Sequence, residues 1–114
     1  MKGMDRSLKQ LSEQIADNAK VAENLLFVNE AQRFCVAAKG QPVPEDVLSQ
    51  AKDETARKEV SRTFHRDLIA VLKKLVEIEE HLLDGKPDAA ETSLKAIQRL
   101  REESHKAMGV KDDH

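Results

Sequence analysis

His105 is the residue of this chain whose possible chemistry is most specific. It follows Leu94 by eleven residues and Arg101 by four, so at about 100° per residue the three share one helix face. A short connection would return this helix alongside Phe64 and Leu68 of the preceding one. An imidazole directed into that apolar space can ligate a flat apolar cofactor. The other interpretation is a partly exposed histidine that favours the helix C-terminal dipole, and on spacing alone we rank it first.

Two methionines near the start of the sequence are a second source of a metal-ligating atom. Met1 and Met4 open an apolar stripe with alternating spacings of three and four, which continues with Leu8, Leu11 and Ile15. The polar residues between them, Ser7 included, are predicted to face water. Flexible core filler is the commoner use of methionine. The functional interpretation is that one thioether supplies an axial ligand.

The helices that must position these residues follow from apolar periodicity. The longest stripe alternates spacings of four and three and comprises Phe64, Leu68, Val71, Leu75, Ile78 and Leu82. A second periodic run carries Ala90, Leu94, Ile97 and Met108. Between the two runs, Gly85 suits the left-handed residue that follows a helix, and Pro87 suits the first turn of the next helix.

Four helices are predicted in all, over residues 2–17, 19–39, 54–84 and 87–109. The longest connection contains Pro42 and Pro44, and residues from Glu45 to about Lys52 could form a short helical turn. Short, longer and short connections predict an all-α fold, an antiparallel up-down-up-down four-helix bundle. Residues 1–114 are expected to form this single domain.

Composition supports an all-helical chain and excludes several classes of protein. Hydrophobic residues make up 39% and charged residues 35%, with four Gly, three Pro and neither Trp nor Tyr. The net charge of −2 argues against nucleic-acid binding, which needs a basic face. No apolar run approaches the roughly 20 residues of a membrane-spanning helix, so membrane insertion is not expected.

The second helix has a broader apolar surface than one stripe. Its apolar residues include Leu25, Leu26, Phe27, Val28, Ala31, Phe34 and Cys35, so the helix is predicted to be buried on two sides or to face a partner. Cys35 is the single cysteine, which rules out an internal disulfide. We expect it to be a buried small hydrophobic residue rather than a reactive thiol.

Taken together, the chain resembles the cytochrome b562 family of soluble four-helix haem proteins. The likeness is carried by the stretch from Phe64 onward, the turn Asp84 to Lys86, and the C-terminal pattern of Arg101 and His105. The distance from Phe64 to His105 matches the family without gaps. The opening MKGMDRSLKQL is also similar to the family's first helix, which begins with a ligand methionine. The likeness covers nearly the whole chain and is closest over its second half.

The resemblance implies that His105 is one axial ligand of haem iron. In the family, core residues lie three, seven and ten positions after the methionine that supplies the second ligand. Counted from Met1, these positions are Met4, Leu8 and Leu11, and all three are apolar. Counted from Met4 they fall on Ser7, Leu11 and Gln14, and one fits. This comparison of positions places Met1 slightly ahead of Met4 as the second iron ligand. A third alternative is that the iron has no sixth ligand.

The function implied by the resemblance is electron transport rather than enzyme catalysis. A Met/His pair raises the reduction potential of haem relative to two histidines and leaves no axial position for oxygen or substrate. Because the chain has no Cys-x-x-Cys-His motif, the cofactor would be noncovalent haem b. Its apolar contacts would come from Leu8, Phe64, Leu68, Leu94 and Ile97, and Arg101 could pair with a propionate.

Localisation and partners are also implied by the family rather than by the residues. Family members carry a cleaved export signal, so the resemblance implies a periplasmic protein that exchanges electrons with redox partner proteins as a monomer or weak dimer. No signal peptide precedes the first helix, so the alternatives are a trimmed exported protein and a cytoplasmic one.

Two other classes of function stay open at this point. The first is a haem-free helical bundle that binds a protein partner through the second helix, around Leu25 to Phe34. The second is a di-metal carboxylate enzyme, which needs two Glu-x-x-His motifs. Glu102 and His105 supply one such motif, but His65 and His81 lack a glutamate three residues earlier, so we rank this reading last.

Overall fold

The computed structural model describes residues 2–49 and 51–107, and within these ranges the chain forms helices and no strands. Five α-helices follow one another: α1 Lys2–Gln14, α2 Val21–Lys39, α3 Glu45–Leu48, α4 Glu54–Leu83 and α5 Pro87–Ala107. A 3-10 turn, Asn18–Lys20, leads into α2. The all-α prediction is therefore confirmed, and the four long predicted helices correspond to α1, α2, α4 and α5.

Helix ends differ from the predictions by a few residues, for reasons the local contacts show. α1 ends at Gln14 rather than at residue 17, because Asp17 caps the 3-10 turn by accepting a 2.9 Å hydrogen bond from the Ala19 backbone N–H. The predicted helical turn beyond Pro44 is present but stops at Leu48. Residues 108 and 109, predicted to end the last helix, lie outside the described residues.

The boundary between α4 and α5 forms as its residue types require. Gly85 has a positive φ of 70°, the left-handed conformation that a glycine after a helix adopts without strain. Its neighbour Lys86 donates a 2.8 Å backbone hydrogen bond to the carbonyl of His81, which closes the last turn of α4. Pro87 is the first residue of α5, where its missing N–H costs no helical hydrogen bond.

The apolar stripes meet in one core to which all four longer helices contribute. Its fully or nearly fully buried members are Met4, Leu8, Leu11, Ile15, Val28, Ala31, Cys35, Leu68, Val71, Leu75, Ile78, Leu82, Ala90, Leu94 and Ile97. Phe64 is half-buried and also packs against a satellite cluster of Val43 and Val47 under the connection to α4. The predicted stripe of α4 is thus confirmed from Leu68 to Leu82, with Phe64 at its edge.

The helices differ in how closely they pack. Among the described residues, α1 packs along α2, α2 along α4 and α4 along α5, whereas the backbones of α1 and α5 come close at only a few positions. Side-chain hydrogen bonds join α1 to α2 at Ser7 with Glu30 and at Gln14 with Asn24. The result is an elongated molecule of 51 × 27 × 20 Å.

None of the helices in the described part of the chain is both long enough and apolar enough to cross a membrane.

Candidate haem-binding site

Met4 is the candidate axial methionine that the structure describes. Its side chain is 1% exposed and belongs to the main core, one residue before Asp5 on the first turns of α1. Met1 lies outside the described residues. A thioether buried among apolar side chains is a soft, uncharged donor, which suits low-spin haem iron and needs no hydrogen bond of its own.

Ser7 corrects one prediction and changes the argument about the methionines. It was expected to face water, but its side chain is 1% exposed. Its hydroxyl is placed 3.1 Å from the backbone carbonyl of Gly3 and 3.0 Å from a carboxylate oxygen of Glu30, so burial leaves it partnered. Two of the three positions counted from Met4, Ser7 and Leu11, are therefore buried, and all three positions counted from Met1 are buried, so the choice of Met1 over Met4 stays a prediction.

An ion pair joins the two helices that carry the candidate ligands. The guanidinium of Arg101 on α5 donates to the carboxylate of Asp5 on α1, and the Arg101 side chain is 26% exposed. Asp5 follows Met4, and Arg101 precedes His105 by one helical turn. The predicted haem-propionate partner thus has a carboxylate partner within the protein, and a propionate would have to share or replace it.

The last turns of α5 are also fixed to α4. The Ser104 hydroxyl donates a 2.6 Å hydrogen bond to the carboxylate of Asp67, the neighbour of Leu68. The backbone of α5 continues past this contact through residue 105. Because positions 101 and 105 are one helical turn apart, they lie on the same side of the helix. The side chain of His105 lies outside what the structure describes, so its predicted ligand role stays a prediction.

The residues predicted to contact haem belong to the hydrophobic core or lie at its edge. Leu8, Leu68, Leu94 and Ile97 are each at most 4% exposed and belong to the one core with Met4. Phe64 is half-buried and packs at the edge of that core. The described candidates for haem contact therefore lie in or beside the core that contains Met4. Two of them, Leu94 and Ile97, are on α5, the helix that also carries the backbone of His105.

Cys35 lies in the same core, and its surroundings make its thiol unreactive. Its side chain is fully buried and its thiol is 3.3 Å from the Leu68 carbonyl oxygen, close enough for a weak S–H hydrogen bond. Burial raises the pKa of the Cys35 thiol, and the positive charge of Lys39 offsets part of that effect. The thiol is therefore held in the protonated, poorly nucleophilic form.

The other described histidines have local partners. His81 lies 3.7 Å from the carboxylate of Glu77 one turn earlier, and a ring nitrogen of His65 is 3.4 Å from the Ser61 carbonyl. No three His, Cys, Asp or Glu side chains in the described ranges converge on a point where a metal ion could be held. A di-metal site of the ferritin-like kind thus has no described ligand cluster to support it.

Sequence patterns missed the polar contacts that surround the candidate site. Asp5, Glu30 and Asp67 lie off the apolar stripes, and their partners are 23 to 96 residues away. Gly3 is a usable sequence signal for one of the contacts of α1, because a small residue within a helix often marks a place where another segment approaches closely. A side chain added at Gly3 would collide with the ring of Phe34 on α2.

Comparison of the chain with family models, with curated proteins and with solved structures gave no match. The likeness to the cytochrome b562 family accordingly rests on the residues quoted above and on their placement.

Proposed function

We propose that this protein is an electron carrier that binds one noncovalent haem b between α1 and α5, in an antiparallel up-down-up-down four-helix bundle. The observation that supports this most directly is the Arg101–Asp5 ion pair. It joins α1 and α5 at the positions next to Met4 and one turn from His105, which are two of the three candidate ligands.

The bundle topology is inferred from the order of the side-chain contacts. Ser7 meets Glu30 while Gln14 meets Asn24, so positions advance along α1 as they recede along α2. Gln32 meets Glu79 while Cys35 meets Leu68, which gives the same reversed order for α2 and α4. Each reversal is what an up-down connection between neighbouring helices produces.

The wider separation of α1 and α5 supports the position of the cofactor. Among the described residues, the backbones of these two helices come close at fewer positions than those of the other neighbouring helices, and the Arg101–Asp5 ion pair joins them. A flat apolar group could enter there with the smallest loss of existing packing. When bound, haem would supply a one-electron redox couple.

The chain's own residues then have distinct tasks. His105, together with Met1 or Met4, would hold the iron through an imidazole nitrogen and a thioether sulfur. The buried leucines Leu8, Leu68 and Leu94 would exclude water from the ring faces, which keeps the dielectric low and affects the reduction potential. Arg101 would neutralise a propionate that shares or displaces the Asp5 carboxylate.

A haem titration of the purified protein tests the proposal. We expect a saturable Soret band at one haem per chain and a low-spin reduced-minus-oxidised spectrum. His105→Ala should abolish the low-spin spectrum and weaken binding, whereas the matched controls His65→Ala and His81→Ala should leave both unchanged. Met4→Ala should convert the iron to high spin if Met4 is the ligand, and Met1→Ala should do so if Met1 is. Equal binding by His105→Ala, or no spectral change with the parent protein, would refute the proposal.

A second candidate function is a haem-free helical protein that acts by binding another protein. The observation that favours it is the exposed apolar surface of α2, where Leu26 is 69% and Phe34 39% exposed. The absence of any haem-dependent absorption in the same titration would make this the better account.

A further inference from the structure

The outward face of α4 carries a regular apolar row that the proposed haem site does not use. Ile69, Val76 and Leu83 are spaced seven residues apart and are 41%, 43% and 66% exposed. Leu72, between the first two, is half-buried against the core. A seven-residue apolar repeat keeps to one side of a helix, and it is the pattern by which helices pair along their length.

The charges beside this row are divided between its two halves. Arg66 and Lys73 flank the first half, whereas Glu80 and Asp84 flank or follow the second half, and all four are exposed. None of the ion pairs in the described part of the chain includes Arg66, Lys73 or Glu80. One face of α4 therefore has a basic half and an acidic half, and Arg66, Lys73 and Glu80 are not neutralised by ion pairs among the described residues.

The neighbouring helix extends the same face. Val36 of α2 is 53% exposed and lines a shallow groove of about 380 Å³ together with Asn29, Gln32, Arg33 and Ala37. Gln32 joins the two helices by donating a 2.7 Å hydrogen bond to Glu79 of α4. The face is thus formed by two helices whose relative position is fixed.

From these observations we infer that a second copy of this chain packs on the α2–α4 face, with the two α4 helices antiparallel about a twofold axis. In that arrangement Ile69 of each copy lies beside Val76 of the other. The same register brings Arg66 of each copy opposite Glu80 of the other. A basic half followed by an acidic half is self-complementary only when the two helices run in opposite directions.

Lys73 lies near the twofold axis in this register and would approach its own counterpart. It is exposed at the margin of the apolar row, so its long side chain can extend into solvent while its methylene groups cover the row.

The size of the face is adequate for a modest dimer. The segment of 23 residues from Arg62 to Asp84 is about 34 Å long at the helical rise, and two adjacent helices are about 20 Å wide. About 700 Å² per copy would be covered, or about 1,400 Å² in total, which is within the range of specific protein interfaces.

The first test is the oligomeric state of the unmodified protein. Sedimentation velocity over about 1 µM to about 1 mM should show a reversible monomer–dimer equilibrium. Val76→Lys should weaken the dimer at least about tenfold, because it places a charge at the centre of the interface. The matched control Lys95→Glu changes an exposed residue of α5 and should leave the equilibrium unchanged. Circular dichroism checks that each variant is folded.

Charge exchange provides the sharper test because it depends on the antiparallel register. Arg66→Glu alone places glutamate opposite glutamate at two points in the dimer, and Glu80→Arg alone places arginine opposite arginine. Each variant should be mostly monomeric where the parent is dimeric. An equimolar mixture of the two should form a heterodimer, since both contacts then pair arginine with glutamate.

A monomeric parent protein at every concentration would overturn the inference, and so would a mixture that fails to restore the dimer. The measurement needs no haem, so its outcome is independent of the proposed electron-transfer function.

Discussion

Asn24 on α2 and Gln14 at the end of α1 are joined by two hydrogen bonds. The Gln14 amide donates to Asn24 Oδ1 at 2.8 Å, and the Asn24 amide donates to the backbone carbonyl of Gln14 at 3.1 Å. Asn24 is 0% exposed. The Gln14 carbonyl also accepts a 3.0 Å hydrogen bond from the Asp17 backbone N–H, so the buried Asn24 side chain gives the end of α1 a second donor.

Replacing Asn24 should destabilise the fold more than its size suggests. Asn24→Ala removes both hydrogen bonds with Gln14, each worth about 0.5–1.5 kcal/mol, and should lower the free energy of unfolding by about 1–3 kcal/mol. Asn29→Ala is the control, because Asn29 is half-buried and its amide bonds only to the Leu25 carbonyl one turn earlier. Urea unfolding followed by circular dichroism measures both. Equal losses of unfolding free energy for the two variants would show that the hydrogen bonds between Asn24 and Gln14 add no more stability than the local bond of Asn29.

The centre of the α4 stripe should be the most sensitive apolar position. Leu75 is 0% exposed, so Leu75→Ala should cost about 2–5 kcal/mol through lost burial and a cavity. Leu68→Ala should behave similarly. Leu26→Ala removes the same atoms from a side chain that is 69% exposed and should change stability by about 0.5 kcal/mol or less. If Leu75→Ala also changed the free energy of unfolding by about 0.5 kcal/mol or less, the description of Leu75 as a core residue would be wrong.

Cys35 should resist thiol reagents in the folded protein. Burial shields the sulfur and raises its pKa, so the reactive thiolate is scarce at neutral pH and increases only in more alkaline solution. Labelling should be slow in native buffer and fast in denaturant. The double variant Cys35→Ser with Val36→Cys moves the thiol to a position that is 53% exposed and should react rapidly when folded. Rapid labelling of the parent would mean that α2 opens readily.

Glu77 should make stability depend on pH in the acidic range. Hydrogen bonds from Lys74 and then Ser93 lower the pKa of Glu77 in the folded protein. Its contribution is present above the pKa of the unfolded chain and is lost as pH falls through the lower, folded value. Because the side chain is 43% exposed, we expect roughly 0.5 kcal/mol. Glu77→Gln should flatten this part of the stability–pH curve, and Glu80→Gln serves as the exposed control.

Gly3 and Phe34 should show strong coupling. A methyl group at Gly3 would overlap the Phe34 ring, so Gly3→Ala should destabilise the parent protein by about 1 kcal/mol as the ring is displaced. In the Phe34→Ala background the same substitution should stabilise by about 0.5–1 kcal/mol, because alanine is the better helix former. A double-mutant cycle in urea measures the coupling. Additive effects would indicate that the ring moves aside without cost.

The sequence predicts the helices well because apolar spacing and turn residues are local signals. Gly85 and Pro87 end one helix and start the next as their backbone preferences require. The buried polar residues are a different case. Ser7 was expected to face water, and its burial depends on Glu30, just as that of Asn24 depends on Gln14; only the folded register brings these partners near. The candidate haem ligands are recognisable by residue type and resemblance, and spacing places Met1 only slightly ahead of Met4.

The unequal lengths of the helices have a consequence for how the molecule opens. α4 has 30 residues and α5 has 21, and the turns of α4 before Phe64 rest on the satellite cluster of Val43 and Val47 rather than on the main core. Little buried surface resists fraying there, so the amides from residue 54 to about 63 should exchange with solvent through sub-global opening. Those from Leu68 to Leu82 should exchange only on complete unfolding. One continuous helix would then have two stabilities.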